Sequence, residues 1–108
     1  MGLQEMQVIS SIKTLLRHDE RLIYFLFHHM DSKLRLSATD LLSEARSLSR
    51  GDSLLVQAAL DFWNGEGGLN LAQALRGWDD DNITAFVRAV LSLRSIDVEY
   101  LVLDEDLC

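Results

Sequence analysis

The sequence has very little cysteine, no proline and no long apolar run. Its 108 residues include a single cysteine, Cys108, which is the last residue, so an internal disulfide is impossible and a reducing, intracellular setting is favoured. No apolar stretch approaches the ~20 residues that span a bilayer, so we expect no membrane segment. The first residues include acidic Glu5 and no basic region, which does not predict a secretory signal. We therefore expect a cytoplasmic protein.

The sequence also lacks the residue patterns of metal sites, cofactor sites and catalytic centres. His28 and His29 are adjacent, so on a helix they point about 100° apart and cannot bind one metal together. The three aspartates at 79–81 precede an apolar periodic run and do not fit a calcium loop. The glycines of 65–68 do not match a phosphate-binding loop, and no Gly-x-Ser-x-Gly motif is present. We expect no metal, no cofactor and no enzymatic activity.

The overall composition is that of an ordinary folded domain. Hydrophobic residues make up 48% of the chain and charged residues 25%, which places it outside the disordered range. A chain of this length buries about two-thirds of its extended surface on folding, which is enough for one core. We find no repeat or low-complexity tract, and we predict a single helical domain over residues 1–108.

The strongest helical signal lies at residues 53–63, which read Ser-Leu-Leu-Val-Gln-Ala-Ala-Leu-Asp-Phe-Trp. After the serine, only Gln57 and Asp61 are polar, and they lie one turn apart. A helix with so narrow a polar stripe is stable in water only when neighbouring elements cover both of its faces. We therefore predict an all-α bundle of five to six helices around this buried central helix.

Apolar periodicity and capping residues place the other helices of the first three-quarters of the chain. The first helix is predicted at about 3–17, and the second around the apolar run 22–27. That run could also form a buried strand, but no second strand lies near enough to pair with it. Ser37 and Asn70 are predicted N-caps, and Gly51 is predicted to end the third helix. Asp52 or Ser53 is then the predicted cap of the central helix.

The last predicted helix follows the aspartates at 79–81, whose carboxylates favour the positive end of a helix dipole. Periodicity divides this helix into a buried and an outward face. The predicted buried face comprises Ile83, Phe86, Val87, Val90 and Leu93, and the predicted outward face comprises Asp81, Ala85, Arg88, Ser92 and Ser95. Residues 98–103 read as extended and precede the acidic residues 104–106, so we predict a short, extended, acidic tail at 98–108.

The order of elements in the second half resembles that of winged-helix DNA-binding domains. A helix, a glycine-rich turn, a short helix from Leu69-Asn-Leu-Ala, a longer helix and the extended residues 98–103 carry the resemblance, without a specific motif. It implies DNA-binding transcriptional regulation. DNA binding depends on several Lys or Arg contacts to phosphate, and the outward face of the last helix offers only Arg88. The remaining contacts would have to come from basic residues of the first half: Lys13, Arg17, Arg21, Lys33 and Arg35.

Charge is distributed unevenly along the chain. Residues 1–50 carry seven Lys or Arg against six Asp or Glu, a net of +1. Residues 51–108 carry three against eleven, a net of −8. An acidic half repels polyanions and favours a partner with a basic surface, although it also serves solubility. Nucleic acid is therefore not the expected partner.

Non-catalytic protein binding is the function that these observations favour, in the role of a regulator, adaptor or assembly subunit. The alternative is a winged-helix-like transcriptional regulator. Trp63 is expected in the core, whereas Trp78 lies in a turn and is either a core residue or an interface anchor. The tail could add a strand to a partner or to a second copy in a homodimer, or pack on its own bundle. Candidate protein-binding residues are Trp78, Asp79, Asp80, Tyr100, Leu101 and Leu103.

Overall fold

Six α-helices and no β-strand make up the part of the chain that the structure describes. This computed structural model describes residues 2–27 and 33–94, with side chains from residue 6 onwards. The all-α prediction is confirmed, whereas the predicted tail at 98–108 lies outside the described residues. The helices are α1 (Gly2–Leu15), α2 (Glu20–Leu26), α3 (Ala38–Ala45), α4 (Arg50–Asn64), α5 (Leu71–Gly77) and α6 (Asp80–Leu93). None of these helices combines the length and the apolar character needed to cross a membrane.

The central helix of the bundle is α4. It packs against α1, α2, α3 and α5, so neighbours cover it on more than one side. This arrangement explains its narrow polar stripe, and it confirms the central position predicted for residues 53–63. The helix ends where Gly65 adopts a left-handed conformation with φ of 79°, which costs glycine little. The buried side chains of α4 are Leu54, Leu55, Val56, Ala58, Ala59 and Leu60.

Two of the predicted N-caps are present. The hydroxyl of Ser37 accepts the backbone N–H of Asp40 at 3.2 Å, and this bond starts α3. The side-chain oxygen of Asn70 accepts the backbone N–H of Gln73 at 3.0 Å, and this bond starts α5. Each bond satisfies an amide that the first turn of a helix leaves without a partner.

The predicted boundary between α3 and α4 is wrong. The hydroxyl of Ser49 accepts the backbone N–H of Asp52 at 3.2 Å, so Ser49 is the N-cap of α4. Gly51 consequently lies in the first turn of α4 and does not end the preceding helix. The preceding helix, α3, already ends at Ala45. Gly51 does not act as a helix end because Ser49, two residues before it, is a strong N-cap that starts the next helix.

The ambiguous apolar run at 22–27 is almost entirely helical, as the sequence analysis preferred. The carboxylate of Asp19 accepts the backbone N–H of Arg21 at 3.0 Å and caps α2. The last residue of the run, Phe27, is extended and forms an isolated antiparallel bridge with Leu34. This isolated bridge pairs the residue after α2 with a residue that precedes α3, and no sheet forms among the described residues.

Only part of the face that periodicity predicts for α6 packs against the core. Ala85 and Ala89 are 5% and 0% exposed, whereas Val87 and Val90 are 47% and 38% exposed. The most extensive contact between two described helices joins α1 and α6. Small side chains allow two helices to approach closely, so the alanines of α6 lie at this contact and the valines do not. The prediction that Val87 and Val90 are buried and Ala85 faces outwards is therefore wrong.

Candidate functional site

Trp78 lies in the core and is not presented to a partner. Its side chain is 5% exposed, and its indole N–H donates to the carbonyl oxygen of Gly51 at 3.3 Å. Its ring centroid lies 5.4 Å from that of Phe86 on α6. Trp63 is partly buried and makes an edge contact with Phe27 at 5.5 Å between centroids. Both tryptophans therefore hold helices together, and we do not include Trp78 in a binding surface.

Asp79 and Asp80 lie on the surface where α6 begins. The carboxylate of Asp79 accepts the backbone N–H of Asn82 at 2.9 Å and caps the helix. Asp80 occupies the first turn, where negative charge is favourable. Both side chains are exposed, so they remain accessible to a basic group. The other predicted binding residues, Tyr100, Leu101 and Leu103, lie outside the described residues.

Four exposed apolar side chains on α5 and α6 are binding candidates that the sequence analysis missed. Leu71 and Leu75 are 51% and 48% exposed on α5, and Val87 and Val90 are similarly exposed on α6. Six large apolar side chains are well exposed in the described part of the chain, and these are four of them. Each pair is separated by one helical turn, so its members are neighbours on the helix surface. We call these four residues the α5–α6 apolar set.

A cleft lies between the C-terminal end of α1 and the N-terminal half of α6. It encloses about 530 Å³ and is open to solvent. Two arginines line it, one from the turn after α1 and one from α6, together with one aspartate and two threonines. Its lining residues are Thr14, Arg17, His18, Asp81, Thr84, Ala85 and Arg88. We call this cavity the α1–α6 cleft.

The guanidinium of Arg17 is held in place at the α1–α6 cleft. Its Nη2 donates to the side-chain oxygen of Asn82 at 2.6 Å. Asn82 is buried on α6, and its own backbone N–H donates to Asp79. Because Asn82 is fixed by the helix and its cap, the arginine is tied to α6 as well as to α1.

Arg17 and His18 adopt left-handed backbone conformations at the end of α1, with φ of 53° and 56°. The backbone N–H of His18 donates to Lys13 O at 2.9 Å, and that of Arg17 donates to Thr14 O at 3.0 Å. These two bonds form a Schellman turn, in which the left-handed residue is usually glycine. For a residue other than glycine, this conformation costs roughly 1–2 kcal/mol. Two strained residues thus line the α1–α6 cleft.

Two of the basic residues that the winged-helix alternative needs form ion pairs with carboxylates of the same chain. Arg21 donates to the carboxylate of Asp52 at 2.9 Å, and Arg35 donates to that of Glu44 at 2.7 Å. The hydrogen bond and the charge of Asp52 raise the pKa of Arg21 above its ordinary value. A carboxylate beside each of these two guanidinium groups lowers the net positive charge that they offer to DNA phosphates.

Comparison with known proteins gives no family for this chain. No family model, curated protein or solved structure matches it. Within the described ranges, no three His, Cys, Asp or Glu side chains cluster as a metal site requires. His28, His29 and Cys108 lie outside those ranges. The functional proposals below therefore depend on the surfaces of the described helices.

Proposed function

We propose that this protein acts by binding another protein, and that the α5–α6 apolar set makes the contact. The observation that carries the proposal is the concentration of exposed large apolar side chains on these two consecutive helices. Exposed apolar residues that lie next to one another mark interaction surfaces, and the two members of each pair in the set are neighbours on their helix. Covering them is favourable by about 25 cal/mol for each Å² of apolar surface removed from water. A regulator, adaptor or assembly subunit would use such a contact.

The proposed partner presents an apolar patch bordered by Lys or Arg. Asp79 and Asp80 are exposed between α5 and α6, and residues 51–108 carry a net charge of −8. Acidic residues at the rim of an interface accelerate association with a basic partner and disfavour an acidic one. A second copy of this chain brings the same aspartates and is repelled, so we favour a different protein over a homodimer.

The test is affinity capture from native lysate with the full tagged chain, followed by titration with the purified partner. Leu75→Lys and Val90→Lys each place a charge within the apolar set. Met6→Lys is the matched control, since Met6 is 66% exposed on α1, outside the set. Circular dichroism melting establishes that all variants fold. We expect the parent and Met6→Lys to bind alike, and the other two to lose about tenfold or more in affinity.

Three outcomes of this test would contradict the proposal. Equal affinity of all variants for the captured protein would exclude the apolar set as the contact. Recovery of nucleic acid alone, abolished by nuclease and by rising salt, would instead support the DNA-binding alternative. Light scattering that shows a dimer disrupted by Val90→Lys, with no other protein captured, would replace the basic partner with a second copy.

The predicted role of the tail is a separate matter and stays a prediction. We expect deletion of residues 98–108 to leave the helical circular dichroism spectrum unchanged and to weaken partner binding. Tyr100, Leu101 and Leu103 would provide the lost contacts. Binding that is unaffected by the deletion would remove the tail from the proposed interface while leaving the α5–α6 apolar set untouched.

A further inference from the structure

We propose that the α1–α6 cleft binds a phosphorylated small molecule, with the guanidinium groups of Arg17 and Arg88 contacting the phosphate. The cleft encloses about 530 Å³, which lies within the roughly 300–1,000 Å³ typical of small-molecule sites. Protein binding through the α5–α6 apolar set uses other residues. Either proposal can therefore fail without the other.

The cleft is positively charged in an acidic protein. Arg17 and Arg88 contribute two positive charges and Asp81 one negative charge, a formal sum of +1 with His18 neutral. The whole chain, by contrast, has a net charge of −7. Cationic groups concentrated in a cleft raise the local concentration of anions. Basic side chains at the C-terminal end of α1 stabilise the negative end of its dipole, which would explain why Arg17 and His18 are there. This reason does not explain the presence of Arg88, which belongs to α6.

Arg17 and Arg88 both line the cleft, and their guanidinium groups differ in how far they are already engaged. The bond from Arg17 to Asn82 uses one of the five N–H donors of that guanidinium and orients the rest. Arg88 is exposed, and no hydrogen bond or ion pair joins it to another of the described residues. The guanidinium of Arg17 is thus fixed, and that of Arg88 is available to bind a ligand. Guanidinium groups bind phosphate oxygens in pairs, with charge-assisted hydrogen bonds.

Two threonines, whose hydroxyl groups can donate hydrogen bonds, line the cleft on opposite sides. Thr14 lies on the α1 side and Thr84 on the α6 side. A phosphate monoester offers three terminal oxygens and close to two negative charges, whereas a carboxylate offers two oxygens and one charge. Two guanidinium groups and two hydroxyl groups therefore match a phosphate better than a carboxylate.

The backbone of Arg17 and His18 provides independent support. Both residues keep left-handed conformations that glycine would adopt at lower cost. Glycine at position 17 would form the same turn but would supply no guanidinium. Strained residues of this kind are concentrated at binding sites, where the surrounding structure compensates for the strain. The location of this strain in a cationic cleft fits a role for these side chains in ligand binding.

The test is a titration of the full chain, labelled with ¹⁵N, with sodium phosphate at constant pH, followed by amide chemical shifts. Sodium chloride at matched ionic strength is the control for salt, and sodium acetate tests a carboxylate. We expect saturable shifts at Arg17, His18, Thr84 and Arg88 with phosphate, and weaker or no saturation with acetate.

Two matched pairs of variants locate the site. We expect Arg88→Gln to weaken phosphate binding about tenfold or more, whereas Arg76→Gln, which removes an exposed arginine of α5, leaves it unchanged. We expect Asp81→Asn to tighten binding several-fold, because a repulsive carboxylate leaves the cleft. Asp80→Asn, which neutralises the neighbouring aspartate outside the cleft lining, is expected to have little effect.

The proposal is overturned if phosphate produces only the non-saturating shifts of matched chloride. Equal weakening by Arg88→Gln and Arg76→Gln, or equal tightening by Asp81→Asn and Asp80→Asn, would show a general charge effect and overturn it as well. Acetate binding as tight as phosphate binding would contradict the assigned ligand class. A tight complex with duplex DNA at physiological salt, lost on Arg88→Glu, would assign the cleft to nucleic acid instead.

Discussion

The carboxylate of Asp61 accepts the backbone N–H of Gly67 at 2.8 Å and so joins α4 to the glycine-rich turn that follows it. The same carboxylate accepts the N–H groups of Gly68 at 3.1 Å and Leu69 at 3.0 Å. In the sequence, Asp61 is one of the two polar residues that follow Ser53 in the predicted central helix, and it indicates only a stripe that faces solvent. In the structure, it fixes the direction in which the chain leaves α4 and thereby the position of α5.

Replacement of Asp61 should therefore destabilise the fold. We expect Asp61→Ala to lower the free energy of unfolding by about 2–3 kcal/mol, because three N–H groups lose a charged acceptor. Asp61→Asn should cost less, since one amide oxygen can still accept. Urea denaturation of the three proteins measures these differences, and an unchanged midpoint for Asp61→Ala would contradict the anchoring role.

Two glycines of the same turn should respond differently to a methyl group. A Cβ on Gly67 would clash with the carbonyl oxygen of Gln57, whereas a Cβ on Gly68 would meet nothing within 4 Å. Gly68 has φ of 66°, so alanine there should cost about 1–2 kcal/mol. Gly67→Ala should cost clearly more, because the backbone of α4 or of the turn has to move. Equal thermal midpoints for the two variants would refute this distinction.

The hydroxyl of Ser11 is fully buried without a hydrogen-bond partner among the described residues. An unpaired buried polar group costs about 1–3 kcal/mol. Ser11→Ala removes the group and leaves a methyl of nearly the same volume, so we expect equal or greater stability, by up to about 1 kcal/mol. A loss of stability in thermal or chemical unfolding would show that the hydroxyl does have a partner.

The strain at the end of α1 can be measured without any ligand. Arg17→Gly and Arg17→Ala both remove the guanidinium and its bond to Asn82, but only glycine adopts positive φ at little cost. We expect the glycine variant to be more stable than the alanine variant by about 1–2 kcal/mol. The same stability for both would show that residue 17 is not left-handed in solution.

Local signals in the sequence were sufficient to predict much of the fold. The caps at Ser37 and Asn70 depend on neighbouring residues only, and the apolar circumference of α4 requires a central position. The orientation of α6 was not predictable in this way. Hydrophobicity places Val87 and Val90 inside, but the close contact between α1 and α6 requires small residues and places Ala85 there. Packing between two helices that are far apart in the sequence therefore determines which face of α6 is buried.

The candidate sites also divide into features that local sequence predicts and features that depend on tertiary packing. Asp79 and Asp80 were predicted at the start of a helix, where Asp79 is the N-cap and Asp80 lies in the first turn, and both positions depend on local sequence only. The α1–α6 cleft brings together residues that are distant in the sequence, and the bond that fixes the Arg17 guanidinium there joins it to Asn82, 65 residues away. No spacing rule connects residues at that separation. The α5–α6 apolar set was missed for a related reason, since it consists of apolar side chains that the tertiary contacts leave uncovered.

The proposed binding surface exists only if Val87 and Val90 face solvent, and the reactivity of an introduced thiol measures this directly. The chain has a single cysteine, so Cys108→Ser gives a background without thiols, on which Val90→Cys and Ala85→Cys are compared. We predict that Val90→Cys reacts with a thiol reagent under native conditions almost as fast as in denaturant. Ala85→Cys should be protected and react only when the structure opens. Protection of Val90→Cys together with fast labelling of Ala85→Cys would contradict the observed orientation of α6 and remove the surface on which protein binding is proposed.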